Sequence, residues 1–520
     1  MARKTKSKAT LIIAGPGAGK THNMVAEIIY NLTLLDSCRF MAVITHTNAA
    51  TNNIKVRLSK LITIPQNLFI GTIHAFLNKF IVIPYSSFGD ATIPSEKLFV
   101  QFGIDKAMDH IRKQKNIKTS DHKGLSVLRG QIVKSLNKKG YITFDQTLVL
   151  ARNSINNNHI AQQVANRLQF LFVDEFQDTG NEVYNIIETL RKLSRTKIYC
   201  VGDPEQYIQS FDSTIRSFTN IPILKALVST GYEITLNQNN FRCSEKIVTF
   251  LNQFNGRIFG GSRFQQFPKS KKSQPAVAED FHLPDVFFIK GDGSTVSQTI
   301  AKFYKLCDDH NIPVGNRCLL GKQETLVKRI IAAVNNRYMN PKKNGNLNPI
   351  NTIRDTVLYM LETNSEEYYL KYKSSAHELR KQAIALFHAI RLNQIANEND
   401  FGNYLLEKYG LQAKRKMLIK IEDLKFGIST HKSGIDVTVA NIHTIKGLEH
   451  EAVLVIAKDE EELLSWLQTD RNKRDQDKND TCRIGYVAFS RAEKLLCISC
   501  LKPVSTNTLA MINKLGLAHC

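Results

Sequence analysis

Two short stretches of this chain carry residue types suited to phosphate chemistry. The first is Gly15-Pro16-Gly17-Ala18-Gly19-Lys20-Thr21. An apolar strand pattern, Thr10 to Ala14, leads into it, and a helical pattern leads out through Tyr30. A strand, a glycine loop and a helix turn backbone N–H groups inward around phosphate, and the helix N-terminus adds partial positive charge. In that setting Lys20 reaches the β and γ phosphates of a nucleoside triphosphate, and Thr21 offers its hydroxyl to Mg²⁺. The strict pattern opens on Gly six positions before the lysine, where this chain has Ala14. The expected cradle is therefore Ala14 through Thr21.

The second stretch is Asp174-Glu175-Phe176-Gln177-Asp178, which ends the apolar run LQFLFV. Open α/β sheets place their chemistry at the carboxyl ends of strands. There Asp174 can hold Mg²⁺ and Glu175 can polarise an attacking water. Taken alone, the pair also reads as a solvated acidic turn; the glycine loop in the same chain favours chemistry. A further strand pattern, Lys197 to Val201, ends in Gly202-Asp203-Pro204-Glu205-Gln206. Gln206 is a candidate amide sensor of the γ-phosphate. Phe211 is a candidate base-stacking platform, although an isolated Phe more often packs in a core.

These groups need strands and helices to hold them, and the bulk properties allow that. With 520 residues the chain is long enough for three or four domains. Its 70 Lys and Arg against 47 Asp and Glu leave a net charge of +23, which suits a polyanionic partner. No apolar run approaches the ~20 residues of a membrane span. The basic start followed by LIIA is too short for a signal peptide, so a cytoplasmic protein is expected. Nine scattered cysteines suit a reducing compartment, and Cys497 and Cys500 sit in LLCISC, which reads as a buried strand.

Further strings follow in order along the chain. They are Thr45-His46-Thr47-Asn48-Ala49-Ala50, Gly71-Thr72-Ile73-His74-Ala75-Phe76, VDEFQDT, VGDPEQYIQSF, Asn240-Phe241-Arg242, Ile442-His443-Thr444-Ile445-Lys446-Gly447-Leu448-Glu449, and Tyr486 to Ala492. With AGPGAGKT they make eight, and together they resemble the UvrD/Rep/PcrA family of superfamily 1A helicases. The resemblance implies an α/β fold: two RecA-like P-loop lobes, parallel sheets flanked by helices, with two small, mainly helical inserted domains. It implies that Arg242 and Arg491 reach the γ-phosphate from the second lobe as arginine fingers. It implies that Phe241 packs on adenine and that Glu449 lies near the ribose. Thr45, Asn48, Thr72, His74, His443 and Thr444 match positions lining the strand-binding groove, where such side chains contact phosphates without reading sequence. Each Thr or Asn, taken singly, also suits a helix cap or turn.

The implied protein is an ATP- and Mg²⁺-dependent motor on single-stranded DNA, or on duplex with a single-stranded tail, moving 3′-to-5′. Expected domain bounds are 1–85 and 141–235 for the first lobe, 86–140 for its insert, 236–335 and 431–520 for the second lobe, and 336–430 for its insert. Basic residues of the first insert, including Lys106, Arg112, Lys113, Lys115, Lys134, Lys138 and Lys139, are candidates for a DNA track. NPKKNGNLNP marks the break into the second insert, and DRNKRDQDKND reads as a charged surface loop. Four departures from the family stand out. No Gln precedes the first strand to read the adenine edge. His46 replaces an aromatic Phe, and Gln209 replaces a Tyr; Asp212 follows Phe211 where Arg is usual. A second functional reading is a nucleotide-gated DNA sensor that regulates a protein partner such as a nuclease, similar to the helicase component of Gabija-type antiphage systems. An RNA motor fits the motifs less well.

Overall fold

A computed structural model of the chain describes residues 8–88, 99–101, 120–208, 217–259, 261–269, 285–291, 296–334, 338–339, 349–363, 374–417 and 437–520, with isolated positions between 108 and 118 and at 367, 368, 371, 372 and 421. Phe211, Gln209, Asp212, Lys106, Lys113 and most of NPKKNGNLNP lie outside the described residues.

Alternation within apolar runs builds the first lobe. Its strands are β1 (Ala9–Ala14), β2 (Phe40–Thr45) and β3 (Leu68–Thr72), then a short parallel pair, β4 (Phe99–Gln101) with β5 (Tyr141–Thr143), then β6 (Leu168–Val173), β7 (Lys197–Gly202) and β8 (Tyr232–Asn237). The main sheet runs β3-β2-β6-β7-β1-β8, and its strands pair in parallel. Both faces are buried, as parallel sheets require. Leu11, Ile13, Ile44, Leu171 and Val173 join one core with helix Asn181–Leu193, while Met41, Val43, Phe170 and Phe172 join the other with helices Lys20–Leu32 and Asn48–Ser59. The strand order makes β6, β7 and β1 neighbours. Their carboxyl ends, which bear Asp174, Asp203 and the glycine loop, therefore converge.

The second lobe begins with short pieces: β9 (Asn239–Asn240), which pairs with β12 (Phe267–Pro268), and the hairpin β10 (Ile258–Phe259) with β11 (Ser262–Arg263). Its larger strands are β13 (Val286–Ile289), β14 (Arg317–Gly321), β17 (His450–Ala457), β18 (Ala492–Cys500) and β19 (Ala518–His519), paired in parallel in the order β14-β17-β18-β13-β19. Cys497 and Cys500 are buried in β18. The fold is thus α/β with two RecA-like lobes.

Both lobes belong to one compact unit, Met1–Ile312 with Arg317–Ala333 and Asn441–Cys520. A second unit comprises Pro313–Asn316 and Val334–Ala440. It contains β15 (Tyr338–Met339) and β16, which begins at Val437 and ends at Asn441, in a parallel pairing, and helices Pro349–Met360, Ala376–Arg391 and Glu398–Tyr409. These helices close on a core of Ile353, Leu379, Leu386, Phe401 and Leu405. Capping boxes at Ser375 with Glu378 and at Asn397 with Asp400 fix two helix starts.

One expectation is overturned in part here. DRNKRDQDKND is only in part a solvated loop: Asp470, Asn472, Lys473, Gln476, Lys478 and Asn479 are exposed, but Arg471–Gln476 is helical, and Arg474 and Asp480 are buried. The run looked surface-bound because charged residues are normally solvated; these are paired with buried opposite charges, as set out below.

Candidate nucleotide site

The glycine loop leaves β1 and enters helix Lys20–Leu32 with Gly19 as its left-handed cap, φ 72°. Gly17 is also left-handed, φ 70°. A side chain at Gly17 would collide with Asn240 Oδ1 and lie 2.8 Å from Arg242 Cβ. Glycine is needed there for both reasons. The second lobe approaches this closely because the Phe241 N–H donates to the Gly17 carbonyl at 2.8 Å. Asn237 adds a side-chain bond to the Ala18 carbonyl at 2.9 Å.

The acidic pair stands at the end of β6. Asp174 is buried, and its N–H donates to the Ile44 carbonyl at 3.0 Å. Glu175 has φ 50° and ψ 48°, a left-handed conformation that costs a non-glycine residue about 1 kcal/mol or more. The strain turns its carboxylate toward a chain of amides. Gln177 Nε2 donates to Glu175 Oε2 at 2.7 Å, while Gln177 Oε1 accepts from the Asp203 N–H at 3.0 Å. Asp203 Oδ2 accepts from Gln206 Nε2 at 2.8 Å. Gln206 Oε1 accepts from Arg491 Nη2 at 3.3 Å. A carboxylate of the first lobe is thereby connected to an arginine of the second.

Charge balance explains the titration of this group. Burial and the neighbouring Glu175 push Asp174 up to about 7, against the pull of Lys20. Burial acts on Glu175 in the same sense but is outweighed by Lys20, Lys446, the Gln177 hydrogen bond and Arg491, which together hold it low, at about 2. Arg491 is lowered to about 10 by burial and by repulsion from Arg242, with Glu175 opposing. Arg491 is fixed by three more bonds, from Nε to the Val487 carbonyl at 3.0 Å, from Nη2 to Ser490 Oγ at 2.9 Å and from Nη1 to the Leu448 carbonyl at 3.5 Å. Arg242 donates to the Ser490 carbonyl at 3.2 Å and pairs with Glu449.

A nucleoside triphosphate with Mg²⁺ fits this donor set. Lys20, Arg242 and Arg491 supply fixed positive charge, and a buried carboxyl raised by desolvation gains a counter-charge from a cation. Among the described residues no cluster of three or more His, Cys, Asp or Glu could hold a metal alone. Thr21 and Asp174 are the residues that would hold Mg²⁺, a small hard cation that prefers oxygen ligands.

Comparison with known proteins agrees with the geometry. The family model described as "AAA domain" matches residues 1–212. A probable DNA helicase II homolog of Mycoplasma genitalium is 22% identical over 96% of this chain and 84% of its own length. The ATP-dependent DNA helicase Rep of Buchnera aphidicola is 26% identical over 46% of this chain and 42% of its own length. The Gabija protein GajB of Bacillus cereus is 29% identical over 47% of this chain and 46% of its own length. The chain is similar to UvrD/Rep-like superfamily 1 helicases. In the Rep and GajB matches it spans under half of the relative's length.

Against that family, the sequence-predicted residues fall into two groups. Ala14 to Thr21, Asp174, Glu175, Gln206, Phe241, Arg242, Glu449 and Arg491 lie together where the second lobe meets the glycine loop and the ends of β6 and β7. Phe241 is 38% exposed, and its ring would be 3.8 Å from a side chain at Gly19, which places it beside the glycine loop. The groove residues are spread more widely. Asn48 and His443 are exposed, and Thr444 is half-buried. Thr72 caps the helix Ile73–Leu77 by accepting from the Ala75 N–H at 3.3 Å. His74 stacks on Phe144, with ring centroids 3.9 Å apart. Thr45 is buried, and its hydroxyl is spent on Thr51 Oγ1 at 2.7 Å and the Thr47 carbonyl at 3.0 Å. It braces the loop behind the groove.

Several residues were not singled out from the sequence. Lys446 pairs with Asp178 and donates to the Gln206 carbonyl at 3.0 Å. Asn240 Oδ1 accepts from the N–H groups of Arg242 and Cys243 at 2.9 and 3.0 Å and so shapes the turn carrying Arg242. Gln177 and Asp203 form the amide chain. All four lie inside motif strings, which was the only available signal; which motif residue meets which depends on the lobes facing each other. Gln266, buried and far from any motif, donates to the Pro16 carbonyl at 2.9 Å, and nothing in the sequence marked it.

Proposed function

We propose that the chain is an ATP-dependent translocase or helicase on single-stranded DNA, moving 3′-to-5′. The observation that carries this reading is the hydrogen-bonded line from Glu175 to Arg491, which makes a complete hydrolytic geometry depend on both lobes. In this reading Lys20 and the loop N–H groups hold the phosphates, and Thr21 and Asp174 hold Mg²⁺. Glu175 accepts a proton from the attacking water, while Gln206, Arg242 and Arg491 face the γ-phosphate. Phe241 packs on the base and Glu449 lies near the ribose. Asn48, Thr72, His74, His443 and Thr444 contact the strand, with Thr45 behind them; Phe211 is assigned to base stacking on the motif alone. The relatives named as DNA helicases support the substrate class. The net charge of +23 supports a polyanionic partner and predicts salt-sensitive binding. Each lobe would grip the strand in alternation, so that closure becomes a step; this needs strand affinity to differ between nucleotide states.

The likeness to GajB favours a second reading, a nucleotide-gated sensor of DNA that regulates a partner such as a nuclease and unwinds little. One set of measurements separates the two. ATPase is measured with and without single-stranded DNA, and strand separation on 3′-tailed and 5′-tailed duplexes. A motor gives DNA-stimulated ATPase and opens the 3′-tailed duplex. A sensor gives stimulation without strand separation. ATPase indifferent to DNA defeats both.

A further inference from the structure

Gln206 is held from two sides, and the second side is the charged segment expected at the surface. Its neighbour Glu205 lies in the short turn Pro204–Gln206 and is 1% exposed. Arg471 grips that carboxylate with both ends of its fork, Nη1 to Oε1 at 2.7 Å and Nη2 to Oε2 at 3.0 Å. Arg474, 0% exposed, donates to Oε2 at 3.0 Å, and Arg257 donates to Oε1 at 3.4 Å. All three arginines come from the second lobe, whereas Glu205 belongs to the first. Burial raises the pKa of Glu205, but Arg474, Arg471 and Arg257 outweigh it and hold the group well below the usual carboxylate range.

The arginines are themselves tied to the helix that precedes Arg491. Arg483 of helix Thr481–Phe489 donates to the Arg474 carbonyl at 2.8 Å, and its guanidinium lies 3.8 Å from the centroid of the Phe218 ring. Arg474 in turn donates to the Gln468 carbonyl at 3.0 Å. The second lobe thus meets the turn 204–206 twice: through Arg471 and Arg474, whose helix Arg471–Gln476 is tied by Arg483 to helix Thr481–Phe489, on Glu205, and through Arg491, just past the end of that second helix, on Gln206. A rim ion pair between touching lobes would stay hydrated and hold nothing in place. A desolvated carboxylate with a two-pronged guanidinium and two further donors tolerates little displacement, because any shift leaves charge buried and unpaired.

We propose that Glu205 is a positioning residue of the hydrolytic site: gripped by Arg471, Arg474 and Arg257, it sets how Arg491 meets Gln206. The inference rests on the ATPase reading given above. It is tested in the full-length protein with Glu205→Gln and Arg471→Ala, and with each combined with Arg491→Ala. Arg471 lies at the rim of the cluster, so its variant remains informative if Glu205→Gln fails to fold. The expected result is a kcat for ATP hydrolysis lowered about tenfold, within the range over which coupled contacts act. KM and the affinity for a fluorescent ADP analogue should move little. Arg471→Lys should recover part of kcat. In the double variants the loss should be no larger than for Arg491→Ala alone, because both changes remove the same alignment. The proposal is overturned if Arg471→Ala keeps the wild-type kcat, or if its loss multiplies with that of Arg491→Ala. Wild-type protein that hydrolyses no ATP defeats the functional reading and this inference together; an active wild type with indifferent variants defeats this inference alone.

Discussion

Replacing Lys446 with Met should cost the protein its closed state more than its fold. Lys446 Nζ pairs with Asp178, whose side chain is 4% exposed, and donates to the Gln206 carbonyl at 3.0 Å. Methionine keeps most of the volume and removes the charge. Asp178 would then be buried without its cation, a change that typically costs about 3–5 kcal/mol. The Gln206 carbonyl loses a donor worth about 1 kcal/mol more. Each lobe keeps its own core, so the chain has a cheaper response than unfolding: the lobes part and Asp178 rehydrates. A shift of about 3 kcal/mol in closure lowers the closed population roughly a hundredfold. Steady-state ATPase at saturating nucleotide and DNA should fall by up to that factor, with the thermal midpoint moving far less. Asp178→Asn in the same chain removes the stranded charge and should recover about tenfold of the lost rate. The reasoning is refuted if Lys446→Met keeps kcat within about threefold of wild type, or if Asp178→Asn fails to restore any of it.

Three further outcomes are expected. Gly17→Ala should abolish ATPase, because φ of 70° and the approach of Asn240 and Arg242 both exclude a side chain; hydrolysis within twofold of wild type would mean that the second lobe does not close on the loop in this way. Glu175→Gln should bind a fluorescent ATP analogue and hydrolyse little, and retained turnover would remove Glu175 from its role as base. The pKa of His46 is lowered, chiefly by burial, and its Nε2 has no hydrogen-bond partner among the described residues. The unfolded state therefore binds the proton more tightly, so stability is full above the ordinary value near 6.5 and is lost as pH falls through it toward the lower folded value. Denaturation midpoints between pH 7.5 and pH 5.5 should show this loss, and His46→Phe should flatten it; an unchanged slope in that variant would assign the effect elsewhere.

The strands that carry the site and the groups at their ends were legible because each depends on local pattern. LQFLFV reads as a strand on its own, and the strand-end carboxylates and the glycine loop have few other uses. The partners of those residues were not legible. Lys446 is one lysine among many until the second lobe lies against the first. DRNKRDQDKND was misread in part for a related reason: charge runs are normally solvated, and only the buried Glu205 and Asp480 draw Arg474 and the following Arg483 into the interior, with Arg471 half-buried at the edge. Thr45 shows the converse, a motif hydroxyl whose hydrogen bonds stay within its own loop.

The amide line from Glu175 to Arg491 has a direction that bears on mechanism. Each glutamine along it presents its N–H to a carboxylate and its oxygen to a donor, so neither amide can rotate by half a turn without losing both bonds. Gln177 and Gln206 are therefore oriented by Asp203, which lies between them and is pushed up to about 6 by burial. If the second lobe withdraws, Arg491 leaves Gln206 Oε1, but the bonds from Gln206 back to Glu175 can persist because all lie within the first lobe. The base would stay aligned in the open state while the arginine that completes the charge is absent. Hydrolysis would then wait on closure rather than on assembly of the base, the ordering a stepping motor would need: Arg242 and Arg491, moved together by the second lobe, would gate first-lobe bonds that are already made.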